Sequence, residues 1–107
     1  MHRHEKETLQ LISHKLKEKL QDRLVIFCVF GSKARGDHDE RSDFDVLIIV
    51  KDKTPEIEDG VMDVFIEEEL KSSIFFTPLI KDFQAFEKER HYNTPFYQNI
   101  EREGIML

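Results

Sequence analysis

Apolar residues in the first twenty positions recur every three or four places: Leu9, Leu11, Ile12, Leu16 and Leu20, with Lys, Glu and Gln between them. That period covers one face of a helix and predicts an amphipathic helix over Glu7 to Leu20. Asp22 and Arg23 interrupt it. The next run, LVIFCVF at 24–30, holds no charged position and is rich in branched and aromatic residues, which predicts a strand covered on both faces and ending at Gly31. Residues 31–42 are polar and contain two glycines, so a tight turn and a short helical turn are expected there. DFDVLIIV, 43–50, predicts a second strand.

After the polar turn KDKTPEIED, the apolar period returns to a helical one at Ile57, Val61, Val64 and Phe65. A helix from Pro55 to about Lys71 follows, with Thr54 as its cap and Pro55 at its first position. Gly60 within it costs about 1 kcal/mol relative to Ala, and Asp63 points away from the apolar stripe. IFFTPLI, 74–80, predicts a third strand, which Pro78 assigns to a sheet edge or a bulge. A short helix over Asp82–Arg90 carries Phe83 and Phe86, and HYNT reads as a loop. Thr94, Pro95 and Gly104 then bracket a last helix, PFYQNIERE, before the apolar IML. The order predicts an α/β fold, a small mixed β-sheet flanked by helices, in one domain over residues 1–107 without repeat or linker.

Composition narrows the function classes. With 39% hydrophobic residues and nine Phe, the 107-residue chain fills one modest core. Its longest apolar run falls far short of the roughly 20 residues of a membrane span, and MHRHEKETLQ precedes no apolar segment of a secretory signal. No membrane partner and a cytoplasmic location are expected. The formal net charge of −6, from 22 acids against 16 bases, excludes strong binding through a nucleic-acid backbone and admits a small anionic ligand when cations bridge it. The lone Cys28 cannot form an intramolecular disulfide and reads as a small buried hydrophobe. His2 and His4 read as a solvated tail, and His14, His38 and His91 have no ligand spacing. The Phe-rich segments read as core, with any exposed share available to a partner helix.

The chemistry concentrates in FGSKARGDHDERSDFDVLIIV, residues 30–50. Side chains alternate across a strand, so Asp43 and Asp45 share a face with Leu47 and Ile49. Two carboxylates on Cα atoms roughly 6–7 Å apart repel, and a cation between them removes the conflict. Oxygen ligands of this kind suit Mg²⁺ or Mn²⁺, which take one or two carboxylates together with substrate phosphates. Without the residues upstream, the same pair would read as a solvent-facing strand end. Gly31 lets the backbone turn sharply and approach a ligand, and Ser32 opens a helical turn whose free N–H groups form an anion site; a capping role for Ser32 is compatible with that. Lys33 and Arg35 add positive charge beside it, Arg35 as a candidate phosphate ligand, while Asp37, Asp39, Glu40 and Arg41 read as solvated loop charges. Phosphate in the turn and metal on the carboxylates would hold a nucleoside triphosphate for in-line attack at its α-phosphate.

The run GSKARGDHDERSDFDVLIIV resembles the signature of the DNA polymerase beta-like nucleotidyltransferase superfamily: Gly-Ser, then after about ten residues Asp-x-Asp heading an apolar strand. Ala-Arg-Gly and Ser-Asp within it resemble the small stand-alone branch, the minimal nucleotidyltransferases, as does the terminal PFYQNIEREGIML. The resemblance implies the nucleotidyltransferase fold, triphosphate contacts at Gly31 and Ser32, and metal ligation and catalysis at Asp43 and Asp45. It also implies ATP as substrate and AMP transfer to a protein hydroxyl. Many small members are antitoxins paired with a HEPN-domain toxin, and some modify a tyrosine of that partner.

One expected element is missing. Active relatives usually present a third carboxylate from the next strand, and IFFTPLI has none. Asp63 would qualify only if VMDVFI were a strand, and Asp82 lies just past the predicted strand end. A catalytically impaired module that neutralises its partner by binding is therefore the rival reading, and a small nucleotide or metal sensor the third. A homo-oligomer is compatible with each.

Overall fold

A computed structural model describes residues 1–31 and 43–107 of the chain. Helix α1, Arg3–Leu20, leads through a 3₁₀ turn at Gln21–Arg23 into β1, Leu24–Phe30. Strand β2, Phe44–Val50, is followed by α2, Pro55–Ser72, then β3, Phe76–Asp82, α3, Phe83–Tyr92, α4, Pro95–Glu103, and β4, Ile105–Met106. The strands form one mixed sheet in the order β3-β2-β1-β4. Strand β1 runs antiparallel to both β2 and β4, and β2 runs parallel to β3. A parallel pair needs a crossover, which α2 supplies. The expected α/β fold with a small mixed sheet is the one found.

The alternation of β2 divides the core into two layers. Phe44, Val46, Ile48 and Val50 pack with Leu9, Ile12 and Leu16 of α1 and with Ile57, Val61 and Phe65 of α2. Leu47 and Ile49 face the other way, onto Cys28, Phe86 and Ile100. Burial on both faces is the physical reason VLIIV contains no polar residue. Capping follows the sequence as well: the hydroxyls of Thr54 and Thr94 accept from the N–H of Ile57 and Tyr97, each at 3.2 Å, with a proline at the start of each helix. Among the described residues no helix is long and apolar enough to cross a membrane.

Several boundaries differ from expectation. Helix α1 begins at Arg3, because the His2 N–H donates to Glu5 Oε1 at 2.8 Å and this capping contact extends the helix beyond its apolar stripe. His4 therefore lies in a helix, and Leu11 is 43% exposed, off the buried row. The third strand starts two residues later than predicted and runs two residues further. Ser73, at φ 61°, closes α2 in the left-handed region, and pairing with β2 begins only at Phe76 and continues to Asp82. Pro78 does lie on an edge strand. In HYNT, His91 and Tyr92 stay helical and Asn93, at φ 50°, ends α3. The terminal IML contributes β4, whose two residues pair with Cys28 and Val29. Of the Phe-rich segments, Phe76 and Phe86 are core and Phe75 is exposed.

Strand β4 sits close over Cys28, which is buried as expected and whose thiol is pushed up in pKa by that burial. A Cβ on Gly104 would lie 2.5 Å from the Cys28 sulfur and 2.5 Å from the Ile100 carbonyl oxygen. Overpacking of this kind costs about 1–3 kcal/mol. Gly104→Ala is thus expected to lower the melting temperature by at least about 4 °C in thermal denaturation; an unchanged value would contradict the close seat of the C-terminal segment.

Candidate active site

Four described residues converge at one end of the sheet: Gly31, Asp43, Asp45 and Thr77. Strand β1 delivers Gly31, and Phe30 pairs with Asp45 across the antiparallel ladder. Gly31 has φ +87°, and a Cβ built on it would come within 2.5 Å of Asp45 Oδ2. Both the backbone angle and the overlying carboxylate therefore require glycine there. Asp43 stands just before β2 and is exposed. Its neighbour Phe44 donates its N–H to the Phe75 carbonyl at 3.1 Å, which fixes the entry of β2 against β3.

Strand β3 adds the fourth group. Thr77 pairs in register with Asp45, and its hydroxyl donates to Asp43 Oδ2 at 3.1 Å. Asp45 and Thr77 lie on the opposite face from Phe44 and Phe76, whose rings meet in the core at 6.2 Å. One carboxylate is thus held by a hydroxyl while the other lies half-buried over a glycine.

Electrostatics makes this arrangement costly without a cation. Burial pushes the Asp45 carboxyl above its usual range, and the negative charge of Asp43 raises it further. Both causes disfavour the charged form, and both are relieved by a cation between the two groups. The donor set is oxygen only, and no group of three or more His, Cys, Asp or Glu assembles among the described residues. Two carboxylates alone fit Mg²⁺ or Mn²⁺, which complete their shell with phosphate oxygens and water, better than a cation that needs an all-protein cage.

Of the residues expected to act, Gly31, Asp43 and Asp45 come together. Ser32 and Arg35 lie outside the described residues, as does the helical turn expected after Gly31. Asp63 is on an exposed part of α2, as expected, and joins no acid cluster. Asp82 is the last residue of β3, paired with Val50 at the far end of β2 from Asp45. Its carboxylate accepts from the N–H groups of Lys53 and Gln84, each at 3.0 Å, and these bonds hold its pKa below the usual range. It caps α3 and leaves the site without a third acid from this strand. Thr77 was missed because its place beside Asp45 follows from the register of β3, which IFFTPLI does not disclose. The apolar groove between β1 and helices α3 and α4, lined by Ile26, Phe86, Tyr97 and Met106, touches none of the four.

Comparison with known proteins gives the family of the fold. A family model described as "Nucleotidyltransferase domain" matches residues 9–104. "Putative protein adenylyltransferase MJ0141" of Methanocaldococcus jannaschii is 37% identical over 101 residues, 94% of this chain and 91% of that protein. "Putative protein adenylyltransferase MJ0604" of the same organism is 30% identical over 104 residues, 96% and 97% of the two chains. A solved chain described as "Crystal structure of the toxin-antitoxin with AMP-PNP" superposes with a TM-score of 0.56 at 18% identity, over 91% of this chain and 70% of the other. That last likeness is one of fold.

The raised Asp45 pKa has a consequence for stability. The folded chain holds this proton more tightly than the unfolded chain does, so stability falls as pH rises from the unfolded pKa through the folded one. In chelator, Asp45→Asn is expected to melt above the wild type at neutral pH, with the difference shrinking as pH drops through the carboxyl range. Melting curves over a pH series check it. A variant that melts lower at neutral pH, or a difference independent of pH, would contradict the repulsive pairing.

Proposed function

The chain belongs to the nucleotidyltransferase domain family, and from that premise we propose that it transfers AMP from ATP to a hydroxyl of a partner protein. The observation that carries this reading is the repelling Asp43 and Asp45 pair, with Asp45 seated against Gly31, a site whose charge calls for a cation. Asp43 and Asp45 would hold Mg²⁺ or Mn²⁺, which would supply charge stabilisation for an in-line displacement. Gly31, Ser32 and Arg35 hold the triphosphate. The acceptor oxygen bonds to the α-phosphorus, the bond to the bridging oxygen of the β-phosphate breaks, pyrophosphate leaves and the hydroxyl proton passes to solvent. Thr77 keeps Asp43 aimed at the cation through its 3.1 Å hydrogen bond.

The names of the two M. jannaschii relatives support a protein acceptor. The fold neighbour described as a toxin–antitoxin with AMP-PNP supports adenine as the base and a toxin as the partner. The partner proposed is of the HEPN type, and the setting is the cytoplasm, where ATP is abundant.

One observation favours a second reading. Thr77, a hydroxyl, stands beside Asp45 on the strand from which active members of the superfamily usually present an acid. On that reading the chain neutralises its partner by contact alone.

The mass of a co-purified partner after incubation with ATP and Mg²⁺ separates the two. Wild type is expected to add one or more AMP units, and Asp43→Asn to lose about 10²-fold or more of that rate while still binding the partner. Partner bound by wild type without any mass gain would overturn the transferase reading in favour of the contact one.

A further inference from the structure

Helix α2 is apolar on two opposed sides. Ile57, Val61, Val64 and Phe65 face the sheet. At about 100° per residue, Met62, Ile66 and Leu70 form a row on the opposite side, and they are 36%, 49% and 81% exposed. A helix at a protein surface normally turns polar residues outward, whereas one apolar all round is built to be covered on both sides. Among the described residues nothing of this chain covers the outer row.

The charge around that row specifies what would. Asp59 and Asp63 flank it on one side, Glu58 and Glu69 on the other, and α2 as a whole carries seven acids, Glu56, Glu58, Asp59, Asp63, Glu67, Glu68 and Glu69, against Lys71. Lysines meet Glu58, Glu67 and Glu68, while Asp59 and Asp63 make no ion pair among the described residues. An occupant must therefore bring apolar side chains edged with Lys or Arg. A second copy of this chain, with a net charge of −6 and the same acidic helix, is repelled.

The row also leads somewhere. Beyond Leu70 the chain turns at Ser73 and reaches Phe75, which is 62% exposed. The Phe75 carbonyl accepts from the N–H of Phe44, the residue next to Asp43. Met62, Ile66 and Leu70 thus run along the outside of α2 toward the end of the sheet where β2 begins, on the side of the sheet opposite to the one that carries Asp45 and Thr77.

We infer that the outer row of α2 is the docking surface for a basic amphipathic helix of the partner protein. The docking surface stands on the exposure and charge of α2. Only the identity of that partner as the acceptor of AMP rests on the AMP-transfer reading.

The test uses isotope-labelled protein and two synthetic helices, each with a Leu row, one edged with Lys and the other with Glu, in the absence of nucleotide. The Lys helix is expected to shift amide resonances at Met62, Ile66 and Leu70 and to weaken as salt rises. The Glu helix is expected not to bind. Ile66→Asp with Leu70→Asp, both at exposed positions, should keep the wild-type melting temperature within a few degrees and lose affinity about tenfold or more. Resonance shifts confined to the groove beneath α3 and α4, equal binding of both helices, or self-association abolished by Leu70→Asp would each overturn the inference. Because no nucleotide is present, a failure of AMP transfer leaves this result untouched, and docking without transfer would count against the proposed function alone.

Discussion

Two like charges are kept close together at the end of a strand that cannot move. Strand β2 is buried on both faces, by α1 and α2 on one side and by the Cys28, Phe86 and Ile100 layer on the other. Its first residues are tied to β1 through the Phe30 and Asp45 pair and to β3 through the Phe44 N–H. The backbone of Asp45 is thereby held beside Asp43, and burial first and the Asp43 charge second push its carboxyl above its usual range. A close-packed interior holds the two carboxylates at one end of the sheet.

The rest of the architecture serves that end of the sheet. Because α2 crosses over between β2 and β3, those strands run parallel, and Thr77 arrives beside Asp45 with its hydroxyl on Asp43. Gly31 closes the other side, at a φ of +87° that side chains rarely adopt and with the Asp45 carboxylate lying over it. The same crossover helix shows its second apolar side to solvent, so the element that sets the strand order also presents the exposed Met62, Ile66 and Leu70.

Much of this was legible in the order of residues. VLIIV betrays a strand buried on both faces, and acids two apart at the head of such a run stand out because burial excludes them elsewhere. The Gly31, Asp43 and Asp45 convergence followed from strand alternation and the resemblance together. Thr77 was hidden, since its partner on β2 depends on where α2 stops, and that is decided by Ser73 entering the left-handed region at φ 61°. Strand β4 was hidden for a different reason: two residues are too few to show a period of two. Asp82 was considered as a possible third acid, but register sends it to the opposite end of the sheet.

The central claim is that a cation completes the Asp43 and Asp45 pair together with nucleotide phosphates. Equilibrium dialysis with Mn²⁺ tests it most directly, with and without ATP, for wild type and for Asp43→Asn with Asp45→Asn. Wild type on its own is expected to retain Mn²⁺ weakly, wild type with ATP to retain it strongly, and the variant to lose both. Nucleotide-linked Mn²⁺ held equally well without the two carboxylates would contradict it.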